Sequence, residues 1–185
     1  GQHEEALNLI ARIELIEHRN PELFLIKGSL LSEINSTDKA IAAYIRAADL
    51  SSEAKDEVFI SIAYEYQNLG KFDKAIDYLQ QALKANHENE DALYEIGYCF
   101  EQIDKPEQMV SFLHTFIDEH PYCDHAWNSL GSIELRQGNH GNAIDAFDYA
   151  LAINEDFVTA YFNKGSALIA IGRFTEAIEI YEQSV

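Results

Sequence analysis

Basic residues are the scarcest class for the chain's size. Thirteen Lys and Arg stand against 32 Asp and Glu, a formal charge of −19 over 185 residues. Nucleic acids and anionic lipid surfaces are held by cations, through counterion release and phosphate attraction, so the balance argues against both as partners. A cationic partner has the compatible sign, although acids that merely keep a large helical surface soluble give the same balance. Cysteine is nearly missing too. Cys99 and Cys123 form neither a CxxC motif nor a dense framework, so no bridge between them is expected, and thiols outside a disulfide fit a reducing, cytoplasmic compartment. Only three prolines interrupt the chain, which suits a mostly helical protein, and 47% hydrophobic residues argue against disorder. No run approaches the 18 or so apolar residues of a membrane-crossing helix, and residues 1–5 are polar and acidic, unlike a signal peptide.

Catalytic signatures are lacking as well. The Gly28-Ser29, Gly131-Ser132 and Gly165-Ser166 pairs have no second glycine and no preceding strand, so none is a nucleophile elbow. There is no HExxH, no phosphate-cradling glycine loop with lysine and no calcium loop; His3-Glu4 and His87-Glu88 lack the second histidine. His114, His120, Cys123 and His125 are donors that suit zinc, but they fall around a loop without the paired spacing of a metal site. The expectation is a protein with no catalytic residues, no metal and no cofactor.

What the chain does have is a period. Ala63, Gly97, Gly131 and Gly165 stand 34 residues apart, as do Ala75, Met109, Ala143 and Ala177. Leu79, Leu113, Phe147 and Tyr181 form a third ladder, and Phe59, Leu93, Trp127 and Tyr161 a fourth. Gly28, Ala40, Tyr44 and Phe24 continue all four toward the N-terminus, each offset by 35, so one residue is inserted between Ala47 and Phe59. Such self-similarity marks a solenoid whose units bury their apolar faces on one another. Within a period the apolar residues recur every three or four positions in two blocks, for example Ala126, Trp127 and Leu130, then Ala143, Ile144, Phe147, Ala150 and Leu151. Each period is therefore two helices. Breaks between them are expected at Asn35, Gly70, Asp104, Gly138 and Gly172, with Asp38, Asp73 and Thr175 as N-caps of the second helices and Pro106 presetting a first turn. Gly131, Ala143 and Ala150 read as points of close helix approach, with Trp127, Phe147 and Leu151 filling the space between.

These residues carry a resemblance. Trp127, Leu130 and Gly131, followed by Ala143, Phe147 and Ala150, with Pro121 at the loop position, closely resemble the tetratricopeptide repeat pattern. The resemblance covers nearly the whole chain. It implies an all-α, right-handed superhelix of antiparallel helix-turn-helix repeats, a single solenoid over 1–185. Full repeats would be 21–55, 56–89, 90–123 and 124–157, with a lone second helix in 1–20 and a truncated last repeat in 158–185. Ile62-Ala63 in place of Leu-Gly, and Met109 in an alanine slot, depart from the pattern. The missing partner of the first helix and the uncapped last one read as the ends of a fragment from a longer array.

The resemblance further implies a partner protein or peptide lying extended on a concave groove lined by the first helices. Members that bind chaperone tails clamp a terminal carboxylate with Lys, Arg and Asn. The matching positions here supply almost no cations, so that clamp is not expected. Carried over, the groove comprises Glu22, Leu25 and Ser29; Glu57, Ile60 and Tyr64; Asp91, Tyr94, Glu95 and Tyr98; His125, Asn128 and Ser132; and Phe162, Asn163 and Ser166. In one half, Tyr64, Tyr94 and Tyr98 beside Glu57, Asp91, Glu95 and Glu101 could surround a Lys or Arg, each ring contributing about 0.5–2 kcal/mol. In the other, Asn128 and Asn163 offer amides that grip a peptide backbone, with His125 and Phe162 beside them. The expected function is non-catalytic binding of an extended basic or aromatic segment. The alternatives are self-association through exposed end helices, and a regulatory segment of an enzyme whose catalytic domain lies outside these residues.

Overall fold

The computed structural model describes residues 1–51 and 55–184, and among them holds eleven α-helices and no strand. The chain divides into two compact units at Ile103/Asp104. The first contains α1 (Gln2–Glu14), α2 (Pro21–Glu33), α3 (Thr37–Leu50), α4 (Lys55–Asn68), α5 (Phe72–Ala85) and α6 (Glu90–Gln102). The second contains α7 (Pro106–Glu119), α8 (Asp124–Arg136), α9 (His140–Ile153), α10 (Val158–Ala170) and α11 (Phe174–Gln183). Every expected first helix includes its small residue: Gly28 in α2, Ala63 in α4, Gly97 in α6, Gly131 in α8 and Gly165 in α10.

The helix ends follow from local chemistry. All five expected breaks adopt positive φ: Asn35 at 56°, Gly70 at 66°, Asp104 at 54°, Gly138 at 82° and Gly172 at 78°. A left-handed residue turns the next N–H back onto the last helical turn. Ser36 donates to Leu31 O, Lys71 to Tyr66 O, Asn139 to Glu134 O and Arg173 to Leu168 O, all at 2.8–2.9 Å, satisfying carbonyls the helix leaves open. The caps are a correction. The second helices begin earlier than expected, with Ser36, Lys71 and Arg173 at the N-cap positions of α3, α5 and α11. Asp38, Asp73 and Thr175 instead sit inside the first turn, where the two carboxylates still favour the positive end of the helix dipole. Among first helices, Asn20 accepts from Glu22 N at 3.0 Å and Asn89 from Ala92 N at 2.9 Å.

In the first unit, hairpins α2/α3 and α4/α5 stack in chain order, with α1 against α2, α3 against α4 and α5 against α6. Phe24, Leu31, Ala40, Ile41, Tyr44, Ala47, Val58 and Ile62 form their shared core. The second unit stacks α7 on α8 and then hairpins α8/α9 and α10/α11, around Ala143, Ile144, Phe147, Ala167, Leu168, Ala177 and Ile180. Each such side chain contributes about 1.5–3 kcal/mol when fully buried, Ala less, so the apolar seams dominate the stability. Helix α1 is held more thinly. Only Ile10 is buried, and the part-buried Lys27–Glu14 and exposed His3–Glu33 pairs, at 2.5 and 2.7 Å, tie it to α2, each worth about 1 kcal/mol or less.

The small residue of each first helix has a specific reason. A Cβ on Gly28 would stand 2.5 Å from the Tyr44 ring, on Gly131 2.6 Å from Phe147, and on Gly165 2.5 Å from Tyr181. In each case an aromatic ring of the second helix occupies the space the missing side chain leaves. Ala63 and Leu79 occupy the same two slots in α4 and α5, both 0% exposed. The extra methyl on one side is matched by a smaller group on the other, so the seam keeps its volume. Trp127 differs from expectation. It is half-buried rather than part of the seam, stacked on Tyr149 with ring centroids 4.5 Å apart, and its Nε1 donates to Pro121 O at 2.9 Å.

Candidate functional site

Helices α4 and α6 lie side by side in the first unit and bring three of the expected residues together. Tyr64 Oη donates to Glu95 Oε1 at 3.4 Å, and Gln67 Nε2 donates to Glu95 Oε2 at 2.7 Å. Neutral donors thus hold both oxygens of this carboxylate, and no cationic side chain pairs with it among the described residues. Burial, the charges of Glu95 and Asp91, and its hydrogen bond to Glu95 all push the Tyr64 phenol above its ordinary pKa, so it remains a neutral donor. Tyr94 is 74% exposed on α6, and Tyr98 meets the Phe72 ring edge-on with centroids 6.2 Å apart. Beneath them Gln67 Nε2 also reaches Cys99 Sγ at 3.3 Å. Burial pushes the Cys99 thiol up, the Gln67 hydrogen bond opposes this and the Glu95 charge adds to it, leaving a protonated, unreactive sulfur.

Not every expected residue joins this group. Asp91 is near enough for its charge to act on Tyr64, but Glu101 is exposed on α6 and Glu57 lines a separate cleft with Glu22. Ile60, expected on the inner face, is buried. The cleft lies between α2 and α4 over the C-terminal part of α3, encloses about 610 Å³ and is walled by Leu25, Ile26, Val58 and Tyr44 with Ser29 and Ser61. Burial and the Glu65 and Glu33 charges raise the Tyr44 pKa, so this phenol too stays neutral.

In the second unit, Asn163 Nδ2 donates to Asn128 Oδ1 at 3.0 Å and to Ser132 Oγ at 3.4 Å. The two amides therefore bind each other first. This leaves the Asn128 donors and the Asn163 acceptor uncommitted by that bond, a complementary pair. Phe162 is 54% exposed and leans on Tyr181 at 5.6 Å between centroids. His125 packs on Phe157 at 4.7 Å, and His120 on Phe116 at 4.9 Å, so both rings are engaged with aromatic neighbours. No group of three metal-ligating side chains occurs among the described residues.

Two features escaped the sequence reading. Gln67, which positions Glu95, lies outside every ladder considered. A polar staple also recurs: Asp56 Oδ2 accepts from Asn86 at 3.0 Å and Asn89 at 2.9 Å, and Asp124 Oδ2 accepts from Asn154 at 2.6 Å. Each joins the start of a first helix to the end of its second helix, and the 30-residue spacing shared by Asp56/Asn86 and Asp124/Asn154 was a signal available in the sequence. Burial pushes the Asp56 carboxyl up, but hydrogen bonds from Asn86, Asn89 and the backbone amides of Asp56 and Glu57 outweigh it and lower its pKa.

Comparison with known families now bears on this geometry. Tetratricopeptide repeat profiles match residues 57–89, 91–121 and 134–185, together more than half of the chain. The chain belongs to the tetratricopeptide repeat family. It is 22% identical over 183 residues to the tetratricopeptide repeat-containing protein trd-1 of Caenorhabditis elegans, matching 99% of this chain and 23% of that protein. It is 24% identical over 165 residues to the human protein O-mannosyl-transferase TMTC1, matching 85% of this chain and 18% of that protein. The chain thus spans less than a quarter of either relative. Among solved structures, a crystal structure of MamA matches with a TM-score of 0.60 and 23% identity, covering 85% of this chain and 91% of that one. YrrB matches with a TM-score of 0.56 and 19% identity, covering 95% and 90%. These likenesses establish the helical-repeat fold. No helix among the described residues is long and apolar enough to cross a membrane.

Proposed function

We propose that the chain is a non-catalytic scaffold that binds an extended segment of a partner protein on its first-helix surface, and that this segment is basic or aromatic. Membership of the repeat family supports the scaffold role; YrrB, of the same fold, is described as having an unusual peptide-binding site. The observation that carries the preference is the Tyr64–Glu95–Gln67 arrangement. It fixes a carboxylate with neutral donors on the helix that also carries Asp91 and the exposed Tyr94. A Lys or Arg entering there would meet uncompensated negative charge and an aromatic face. In the second unit, taken by itself, Asn128 and Asn163 would hold peptide backbone without regard to side chain. Nucleic acid and membrane partners are disfavoured by the charge of −19, and the buried thiols Cys99 and Cys123 fit a cytoplasmic setting.

The test is titration calorimetry against basic-aromatic and acidic-tailed peptide pools in about 0.15 M and about 1 M salt, where the screening length falls from about 8 to about 3 Å. Basic peptides should bind best and weaken several-fold at high salt. The Asp91→Asn/Glu95→Gln/Glu101→Gln variant should bind them more weakly while keeping its helical signal. Preference for acidic tails, or an unaffected variant, refutes the cationic reading. Self-association is the alternative favoured by a specific observation, since Phe174 and Ile178 are 62% and 58% exposed on α11. A concentration-independent monomer in sedimentation would remove it.

A further inference from the structure

The cleft between α2 and α4 gathers Glu22, Leu25, Ser29 and Glu57 of the expected groove, without Tyr64 or Glu95. Its volume of about 610 Å³ falls within the range of ligand-sized clefts, roughly 300–1,000 Å³. Its walls are apolar, formed by Leu25, Ile26, Val58 and the buried ring of Tyr44, while the carboxylates of Glu22 and Glu57 stand at its exposed edge. Neither carboxylate has a cationic partner among the described residues, and no Lys, Arg or His lines the cleft. An apolar occupant alone would desolvate the two carboxylates without compensation, and an acidic one would be repelled. A side chain with a hydrocarbon stem and a cationic head satisfies both parts: the stem lies on the walls and the head reaches the acids.

We propose that this cleft is a pocket for an arginine or lysine side chain of a bound polypeptide, separate from the tyrosine surface of α4 and α6. The pocket rests on the reading of the chain as a peptide binder but uses none of the tyrosines invoked for it. The probe is the blocked dipeptide acetyl-Leu-Arg-amide, compared with acetyl-Leu-citrulline-amide, which keeps the shape and loses the charge. Both are titrated into the 185-residue chain and followed by amide NMR.

The arginine probe should shift the amides of Ser29 and Ser61, and the citrulline probe should bind about five-fold more weakly, as expected for two partly exposed ion pairs. The Glu22→Gln/Glu57→Gln variant should weaken the arginine probe to the same degree and leave the citrulline probe unchanged. Equal binding of the two probes, shifts away from the cleft, or an unaffected variant would overturn the pocket. A basic peptide that shifts Tyr64 and Tyr94 without disturbing Ser29 or Ser61 likewise overturns it, yet leaves the wider scaffold reading standing. Conversely, cleft shifts with the arginine probe, when no peptide perturbs the tyrosine surface, keep the pocket and remove the tyrosine surface as a binding site.

Discussion

Replacing Gly131 by alanine adds one methyl at a point where the seam has no room. The new Cβ would lie 2.6, 2.7 and 2.9 Å from three atoms of the Phe147 ring, against an ordinary carbon–carbon separation of roughly 3.5–4.0 Å. Phe147 is 0% exposed, so the ring has no solvent to swing into. Overpacking of this kind costs about 1–3 kcal/mol, while the gain in helix propensity on replacing glycine by alanine returns about 0.8–1.0 kcal/mol. With three contacts under 3 Å the steric effect wins, for a net loss of about 1–2 kcal/mol. Phe147→Leu alone should also cost about 1–2 kcal/mol, through the void it leaves. Together the two substitutions reproduce the Ala63/Leu79 combination of the first unit, and the double variant should return close to the parent. The coupling would then be the sum of the two single losses, about 2–4 kcal/mol. Gly141→Ala serves as a control, because a Cβ there meets nothing within 4 Å. Urea unfolding followed by circular dichroism, with the slopes compared across variants, measures all four. Additivity of the two seam substitutions within about 0.5 kcal/mol, or a Gly131→Ala variant as stable as Gly141→Ala, would refute the size-exchange argument.

Two further outcomes follow from the geometry. Trp127→Ala should cost about 1–3 kcal/mol, the sum of one aromatic stack and one hydrogen bond, and Trp127→Phe less than half of that; a loss of about 4 kcal/mol or more in the same unfolding assay would mean the indole is a core residue after all. Asp56 has its folded-state pKa below the ordinary carboxylate value of 3.8, so its contribution is complete above that value and disappears as pH falls through the lowered one. Acid unfolding curves of the parent should therefore fall more steeply below about pH 4 than those of Asp56→Asn, and parallel curves would show that the staple does not stabilise the hairpin.

Much of the candidate site was legible because it rides on the repeat. Tyr64, Asp91 and Glu95 were placed on one surface by their position in first helices, and the structure brings them together. Glu57 was assigned to the same group and faces a different cleft. The hydrogen bonds that fix Glu95 come from residues 28 and 31 positions earlier, across two helices, and no local pattern encodes which rotamers meet there. The pairing of Asn128 with Asn163 is of the same kind, as is the half-exposure of Trp127.

Taken by itself, the sequence determined the eleven helices among the described residues, their hairpin breaks and the small-residue slots. These depend on interactions within about five residues, or on a period that repeats them: apolar spacing of three and four, a left-handed residue to end a helix, a glycine where an aromatic must lie close. Only the tertiary structure decided which acids share a surface, where the 610 Å³ cleft opens, and that Asp56 and Asp124 staple helix starts to helix ends. Those outcomes depend on the rotation of each helix about its axis and its offset against the next. Both are set by how whole side chains fill the seam.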